Sequence, residues 1–323
     1  MADRTLRTVS IVTPSRNQGG FLRETIESVL GQEGDFVLDY VIVDGASTDN
    51  SVEIIRRYES LLEGNHWPVR CGGIRFRWVS EPDRGQTDAI VKGFGMSEGE
   101  ILSWLNSDDT LLPGSLRKVV DRFRENPFAG VVHGRARFTD ESGRAVAEVE
   151  TGPTDHEGLA SLNLVCQPAS FFRRNALEAA GGLDPELRYA MDHDLWIRMS
   201  SQFEFRYIPE FLATYRLHPE SKTGASRHAV EFQRETLEIL MRHYGRAPLN
   251  RVYAFCNRVL LARFPSGWSE SNPLVVVASV LSAIARYLRL NRGIHKEDLR
   301  MIRMRNLRKM FRSGTASPGE SRQ

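Results

Sequence analysis

The amino-acid sequence predicts an α/β fold, a mixed but mainly parallel sheet flanked by helices, with a helical C-terminal extension. Three observations carry that expectation. Short β-branched apolar runs alternate with segments of helical periodicity between Val9 and Leu105. Each run ends in polar, acidic or glycine residues, as strands buried on both faces do. From about residue 226 onward the chain reads as wholly helical. Alternation of the first kind places parallel strands side by side with helices packed over them.

Taken in order, residues 9–13 (VSIVT) and 40–43 (YVIV) are strands. Between them residues 20–30 carry Phe21, Leu22, Ile26, Val29 and Leu30 at helical spacing. Residues 50–62 then read as a helix, 74–79 as a strand, 86–94 as a helix and 101–105 as a strand. After Pro113 a helix over 115–125 leads to an apolar run at 131–138, and the Gly-, Glu- and Asp-rich stretch at 140–158 reads as hairpin and loop. The sheet is expected to become mixed there. Residues 171–180, 192–201 and 232–244 have helical character, and a boundary near Ser226 divides the chain into 1–225 and 226–323.

A chain of 323 residues with 41 % apolar and 26 % charged residues can bury a large core and is neither disordered nor fibrous. A net charge of only +2 argues against a nucleic-acid partner, whose phosphates demand a broadly basic surface. The charge is unevenly spread, since ten Lys and Arg residues between Arg286 and Arg312 face only Glu297 and Asp298. Cys71, Cys166 and Cys256 are far apart and show no metal or disulfide spacing, which fits a reducing compartment. No secretory signal is visible at the N-terminus, so a cytoplasmic location is expected. Residues 273–290 are apolar, but their charge-free stretch falls short of the ~20 residues a spanning helix needs. With the basic run behind it, this segment is expected to lie on an anionic membrane surface, or to be a core helix with a solvated tail; a homodimer contact is a further use.

Ligands of such folds sit at the carboxyl ends of the strands, so the residues just after each strand matter most. In ILSWLNSDDTLLPG a strand runs directly into Asn106, Ser107, Asp108 and Asp109. The adjacent carboxylates repel each other, and a hard cation bridging to phosphate oxygens relieves the repulsion; a helix cap at Asp109 is the alternative. YVIVDGASTDN supplies a second acidic strand end, with Asp44 placed to accept hydrogen bonds from a base or ribose and Asp49 placed to cap the next helix. VSEPDRGQ supplies Asp83, Arg84 and Gly85 before a third helix, where an arginine pairs with a phosphate or with a surface carboxylate.

Six stretches in this order resemble the family 2 glycosyltransferases of bacteria, enzymes of the GT-A fold, Rossmann-like in architecture, that make cell-surface polysaccharides. They are VSIVTPSRNQGGFLRETIESVLGQ, YVIVDGASTDNS, SEPDRGQTDAIVKGF, GEILSWLNSDDTLLPGSL, QPASFFRRNALEAAGGLDPELRYAMDHDLWIRM and YRLHPESKT, spanning roughly residues 8–224. The resemblance implies a nucleotide-diphosphate sugar donor, a UDP-sugar foremost, and a saccharide or lipid-linked saccharide acceptor. It implies that Thr13, Pro14 and Asn17 line the base, that Asp44 reads it, and that Arg84 with Asp83 lies near the base or diphosphate. Asp108 corresponds to the metal-binding end of the family's D-x-D motif, with Asp109 beside it and Asn106 in place of the first aspartate; Mn2+ or Mg2+ is the implied cofactor.

MDHDLWIRM is similar to the family's E-D-x-D-L-W segment, with Met191 replacing the glutamate and Asp192 at the position of the catalytic base; Asp194 is its rival. Inversion at the anomeric carbon follows from one carboxylate taking the acceptor proton on the face opposite the leaving diphosphate. His218 falls where several related enzymes bring a histidine toward the metal or diphosphate, a metal ligand in this reading, and Lys222 where a loop covers the diphosphate. Two other functions compete. A sugar nucleotidyltransferase needs a Gly-rich phosphate loop that VTPSRNQGG lacks, and a non-catalytic nucleotide-sugar-binding protein would account for Asn106 and Met191 as losses.

Overall fold

The computed structural model describes residues 7–219, 221, 228–263, 272–295 and 298. Lys222 and, apart from Asp298, the basic run after His295 lie outside them. The chain divides into two compact units, one of residues 1–155 and 164–216, the other of 156–163 and 217–323. The division falls ahead of His218 rather than near Ser226, and a short inserted helix goes with the second unit.

The first unit opens with β1 (Arg7–Ser15), α1 (Leu22–Leu30), β2 (Phe36–Asp44), α2 (Ser51–Glu63), β3 (Ile74–Ser80), α3 (Gln86–Met96) and β4 (Ile101–Trp104). It continues with β5 (Thr110–Leu111), α4 (Ser115–Glu125), β6 (Ala129–Thr139) and β7 (Ala145–Glu148), then β8 (Ser170–Arg173), α6 (Arg174–Ala179), α7 (Met191–Ser200) and β9 (Glu204–Arg216). The second unit holds α5 (His156–Ser161), α8 (Ala229–Tyr244), α9 (Leu249–Leu261) and α10 (Pro273–Asn291).

The described strands form one nine-stranded sheet in the order β3-β2-β1-β4-β8-β6-β9-β5, with β7 on β6. β1 runs parallel to β2 and β4, and β2 parallel to β3. Their register aligns Ser15 with Asp44 and Asp44 with Ser80, so three strands end on one line. β8 is antiparallel to both β4 and β6. The sheet is therefore mixed beyond β4.

Its core follows from the sequence pattern. Ile11, Leu38, Tyr40 and Ile42 are sealed under Leu22, Ile26, Val29 and Leu30 of α1 and Ile55 of α2. An aromatic group of Phe94, Trp104, Phe172 and Trp196 packs edge to face and stacked between α3, β4, β8 and α7.

One element departs from the sequence expectation, and another was not foreseen by it. Residues 170–173 are a strand, with helix beginning only at Arg174, because Phe171 and Phe172 are buried between two antiparallel neighbours and pairing overrides their helical spacing. β9 is the longest strand, yet its exposed charges and the register shifts opposite Gly134 and Arg135 break the period-two pattern that would announce it.

In the second unit, α10 starts where Asn272 Oδ1 accepts from Leu274 N at 3.0 Å and Pro273 stands at the first helical position. It runs as one 19-residue helix that includes Arg286 and Arg289, and by length and composition alone it is apolar enough to cross a membrane. Its Val275, Ser279, Ala283 and Tyr287 are buried, and Ala283 and Tyr287 pack into a core with Val252, Phe255 and Cys256 of α9.

Candidate active site

The ends of β1 and β2 are tied together by their own loops. Asn17 has φ +52°, a left-handed conformation that asparagine tolerates. Its backbone N–H donates to Ser47 Oγ at 2.8 Å, and its Oδ1 accepts from Thr48 N at 2.8 Å. Gln18 N donates to Ser51 Oγ at 3.2 Å and Gly19 N to Asp49 Oδ2 at 2.9 Å. Asp49 also accepts from Ser51 N, the first residue of α2, at 3.0 Å. Burial alone would raise the Asp49 carboxyl, but the hydrogen bonds from Ser51 and Gly19 outweigh it and hold it below the usual carboxylate range.

Asp44 ends β2 fully buried, accepting from Ser47 N at 2.9 Å, Ser47 Oγ and Ser80 Oγ at 2.7 Å. Its carboxylate fixes the turn that presents Ser47 and Thr48. Thr13 is buried too, its hydroxyl 3.0 Å from that of Tyr40, and Pro14 is buried beside it. Gly45 explains itself by close approach, since a Cβ there would stand 2.4 Å from Asp83 Oδ2. The third loop thereby reaches the second. Arg84 beyond it is 87 % exposed and paired with Asp88 at 2.9 Å, which raises the guanidinium and lowers the Asp88 carboxyl.

At the end of β4 the adjacent carboxylates part company. Asp108 is half-buried, whereas Asp109 is fully buried. Asp109 Oδ1 accepts from Arg216 N at 2.9 Å and Oδ2 from Asn106 Nδ2 at 3.2 Å. Burial, and then the neighbouring charge of Asp108, push the Asp109 carboxyl well above the usual range. Thr25 Oγ1 lies 2.9 Å from Ser107 O and 2.8 Å from Asp109 O, pinning the turn to α1.

Asn106 is the amide at the centre of a small network. Its Oδ1 accepts from Gln86 Nε2 at 2.6 Å, and its Nδ2 faces Gln167 Oε1 at 3.3 Å as well as Asp109. An aspartate there would add a third carboxylate and remove the donor that Asp109 uses. Asn106 is a cross-link between α3, β4 and the turn before β8.

Arg216, the last residue of β9, was not singled out by the sequence and is 98 % buried, with 2 % of its side chain exposed. Its Nε donates to Asp108 O at 2.9 Å and its Nη1 to Glu141 O at 2.7 Å; it pairs with Glu24 and lies over the ring of Phe21. Together with Thr25 it holds the backbone of the acidic turn. Gln86, Gln167 and Thr25 were likewise invisible, because each acts through a partner far away in sequence.

Asp192 and Asp194 lie in the first turn of α7, whose start is anchored by Thr87 Oγ1, 3.1 Å from Leu187 O and 2.9 Å from Met191 Sδ. Met191 thus serves as packing. Asp194 is fully buried, with Arg198 Nε at 2.8 Å and Nη2 at 2.6 Å from its Oδ2. Asp192 is half-buried. Cys166 lies within electrostatic reach of both acidic regions: burial raises its thiol first, and the charges of Asp109 and Asp192 raise it further.

His218 is a buried residue of the second unit, in a turn where Ser221 Oγ lies 2.8 Å from its carbonyl oxygen. Lys222 lies outside the described residues. Among the described residues no three His, Cys, Asp or Glu side chains are grouped so as to hold a metal ion by themselves. A magnesium- or manganese-like cation needs only one or two carboxylates when phosphate oxygens and water complete its shell. Asp108 fits that requirement, and Asp109, with both oxygens engaged, supports the turn.

A family model described as Glycosyl transferase family 2 matches residues 10–181. The chain is 28 % identical over 231 residues to an uncharacterized glycosyltransferase of Nostoc sp., covering 68 % of this chain and 66 % of that protein. It is 24 % identical over 213 residues to the chondroitin synthase of Escherichia coli, covering 66 % and 29 %. With the poly-beta-1,6-N-acetyl-D-glucosamine synthase of Staphylococcus epidermidis it shares 23 % identity over 246 residues, covering 73 % and 56 %. The chain thus spans less than two thirds of each relative's length. Among solved structures, S. aureus TarS 1-349 in complex with UDP-GlcNAc superposes with a TM-score of 0.59 at 16 % identity, covering 96 % of this chain and 88 % of that one. The mannosyltransferase PcManGT from Pyrobaculum calidifontis in complex with GDP-Man and Mn2+ gives 0.58 at 15 % identity, covering 98 % and 88 %.

Proposed function

The chain belongs to glycosyl transferase family 2, and from that premise we propose that it moves one sugar, with inversion, from a nucleoside-diphosphate donor to a hydroxyl of a saccharide or lipid-linked saccharide during cell-surface polysaccharide synthesis. The observation that carries this reading is the stacking of Trp104 on Trp196, ring centroids 5.9 Å apart, which holds the end of β4, with its acidic turn, against α7, whose first turn carries Asp192. One end suits the diphosphate and the other suits the acceptor.

The base and ribose would occupy the joined loops after β1 and β2, against Thr13, Pro14, Asn17 and the turn set by Asp44, with Asp83 at its edge. A Mn2+ or Mg2+ ion on Asp108 would neutralise charge on the departing diphosphate. Arg84 is exposed and would exchange Asp88 for a phosphate oxygen. Asp192 takes the acceptor proton as the acceptor oxygen bonds to the anomeric carbon and the bond from that carbon to the diphosphate breaks. Asp194, sealed against Arg198, positions the start of α7. Cys71, Cys166 and Cys256 are all free, as suits a reducing cytoplasm.

The donor among nucleotides is a UDP-sugar in this reading, and relatives of the fold bind UDP-GlcNAc and GDP-Man. The test is thermal stability with UDP, dTDP, GDP and CMP, each with and without Mn2+, followed by release of the same nucleotide from its sugar in the presence of acceptor. A ligand at 100 times its dissociation constant adds ~2.7 kcal/mol. Selective, metal-dependent stabilisation with sugar transfer supports the proposal. Stabilisation without turnover or hydrolysis favours a binding protein and overturns it.

A further inference from the structure

We propose that the exposed face of α10 docks on an anionic lipid bilayer, with the helix axis lying in the plane of the surface. Leu274, Val277, Leu281, Ile284 and Leu288 are 68, 57, 64, 45 and 45 % exposed. They recur in alternating steps of three and four, which places them on one stripe of a helix. Elsewhere among the described residues, exposed large apolar side chains such as Val69, Val91, Phe128 and Val146 stand apart from one another in sequence, as is normal for a surface. A continuous apolar stripe is not.

The helix is committed on its other side. Val275, Ser279, Ala283 and Tyr287 are buried, Asn257 Nδ2 lies 3.3 Å from Ser279 Oγ, and Tyr287 Oη lies 2.6 Å from Asp298 Oδ2. Crossing a membrane would strip this line from α9 and put the polar groups into hydrocarbon. Lying flat leaves it intact.

Charge selects the occupant. α10 contains no acidic residue, and the first after Asn272 is Glu297. Arg289 and Arg292 are exposed at the end of the stripe, and the sequence beyond them adds Lys296, Arg300, Arg303, Arg305, Arg308, Lys309 and Arg312. A second copy of the helix along the stripe would offer no anion to these cations, and the residues flanking the stripe, Ala278, Val280 and Ala285, carry no charges to set a register. Anionic headgroups above an apolar layer match both features at once.

The test is sedimentation of the full chain with phosphatidylcholine vesicles, with and without phosphatidylglycerol, alongside Leu281→Glu/Ile284→Glu. It reads no sugar transfer, so its outcome is independent of the proposed reaction. The intact chain should bind the anionic vesicles in a salt-sensitive way, and the double variant, which alters only exposed positions and should keep its melting temperature, should bind at least about tenfold less. Equal binding of the two proteins would assign attachment to the basic segment alone and overturn the proposal. So would an intact chain that ignores vesicles but dissociates from a dimer to a monomer on the double substitution.

Discussion

The indole of Trp196 lies stacked on that of Trp104, ring centroids 5.9 Å apart and planes 15° from parallel. Trp104 is the last residue of β4, just before the acidic turn, and Trp196 is on α7, whose first turn carries Asp192. Both rings are buried. The stack therefore sets how the proposed base stands relative to the proposed metal ligand.

Trp196→Ala should cost about 3–5 kcal/mol of stability, the usual loss for emptying a buried aromatic site. Trp196→Phe should cost less, since it keeps a ring and drops an indole N–H that has no partner. Urea unfolding of the three proteins, each two-state transition fitted separately, checks the order.

Asp108 and Asp109 should separate cleanly. Asp108→Ala should abolish the metal-dependent stabilisation by the preferred diphosphate while leaving the ligand-free melting temperature nearly unchanged. Asp109→Ala strands the buried N–H of Arg216 and should lower ligand-free stability by about 1–3 kcal/mol. Melting curves with and without Mn2+ and diphosphate distinguish the two; a reversed pattern would move the metal site to Asp109.

Asp192→Asn should lower turnover by at least ~100-fold with donor affinity unchanged, the typical worth of a general base. Asp194→Asn should act on the fold instead, because it weakens a pair with Arg198 in which the aspartate is 1 % exposed. Steady-state kinetics with saturating donor and unfolding of the same two variants give the comparison. Full activity in Asp192→Asn would pass the role of base to another group.

His133 on β6 is fully buried between β8 and β9, near the rings of Phe205 and Tyr207, and neither ring nitrogen has a partner. Burial pushes it down to about 4 from an ordinary 6.5. Because the folded value is depressed, the unfolded chain takes up the proton first as the pH falls. Its contribution is therefore full above pH 6.5 and is lost progressively down to about 4, a loss of about 3 kcal/mol. His133→Leu should remove that component, read as a shallower fall of melting temperature between those limits.

Most of this fold was legible because parallel strands buried on both faces announce themselves as apolar runs, as in β1 and β2. β8 was misread because Phe171 and Phe172 owe their strand to antiparallel neighbours, which no local period reports. The acidic strand ends were legible as clusters, but the partners that set neighbouring carboxylates apart were not. Asp109 is set apart from Asp108 by its full burial and by the donors Arg216 N and Asn106 Nδ2, and Asp194 is sealed by its pair with Arg198. Those partners are supplied by the folded chain, and only Asn106 and Arg198 are near in sequence. Asn106 itself reads as a departure until Gln86 and Gln167 are seen around it.

The loops after β1 and β2 share Asn17 to Thr48, Asn17 to Ser47, Gln18 to Ser51 and Gly19 to Asp49 as mutual fastenings. An engineer seeking to change the base proposed to sit on these loops should find that neither can be transplanted alone. The heritable unit is the pair, and a chimera carrying one foreign loop would arrive with its hinge pins missing.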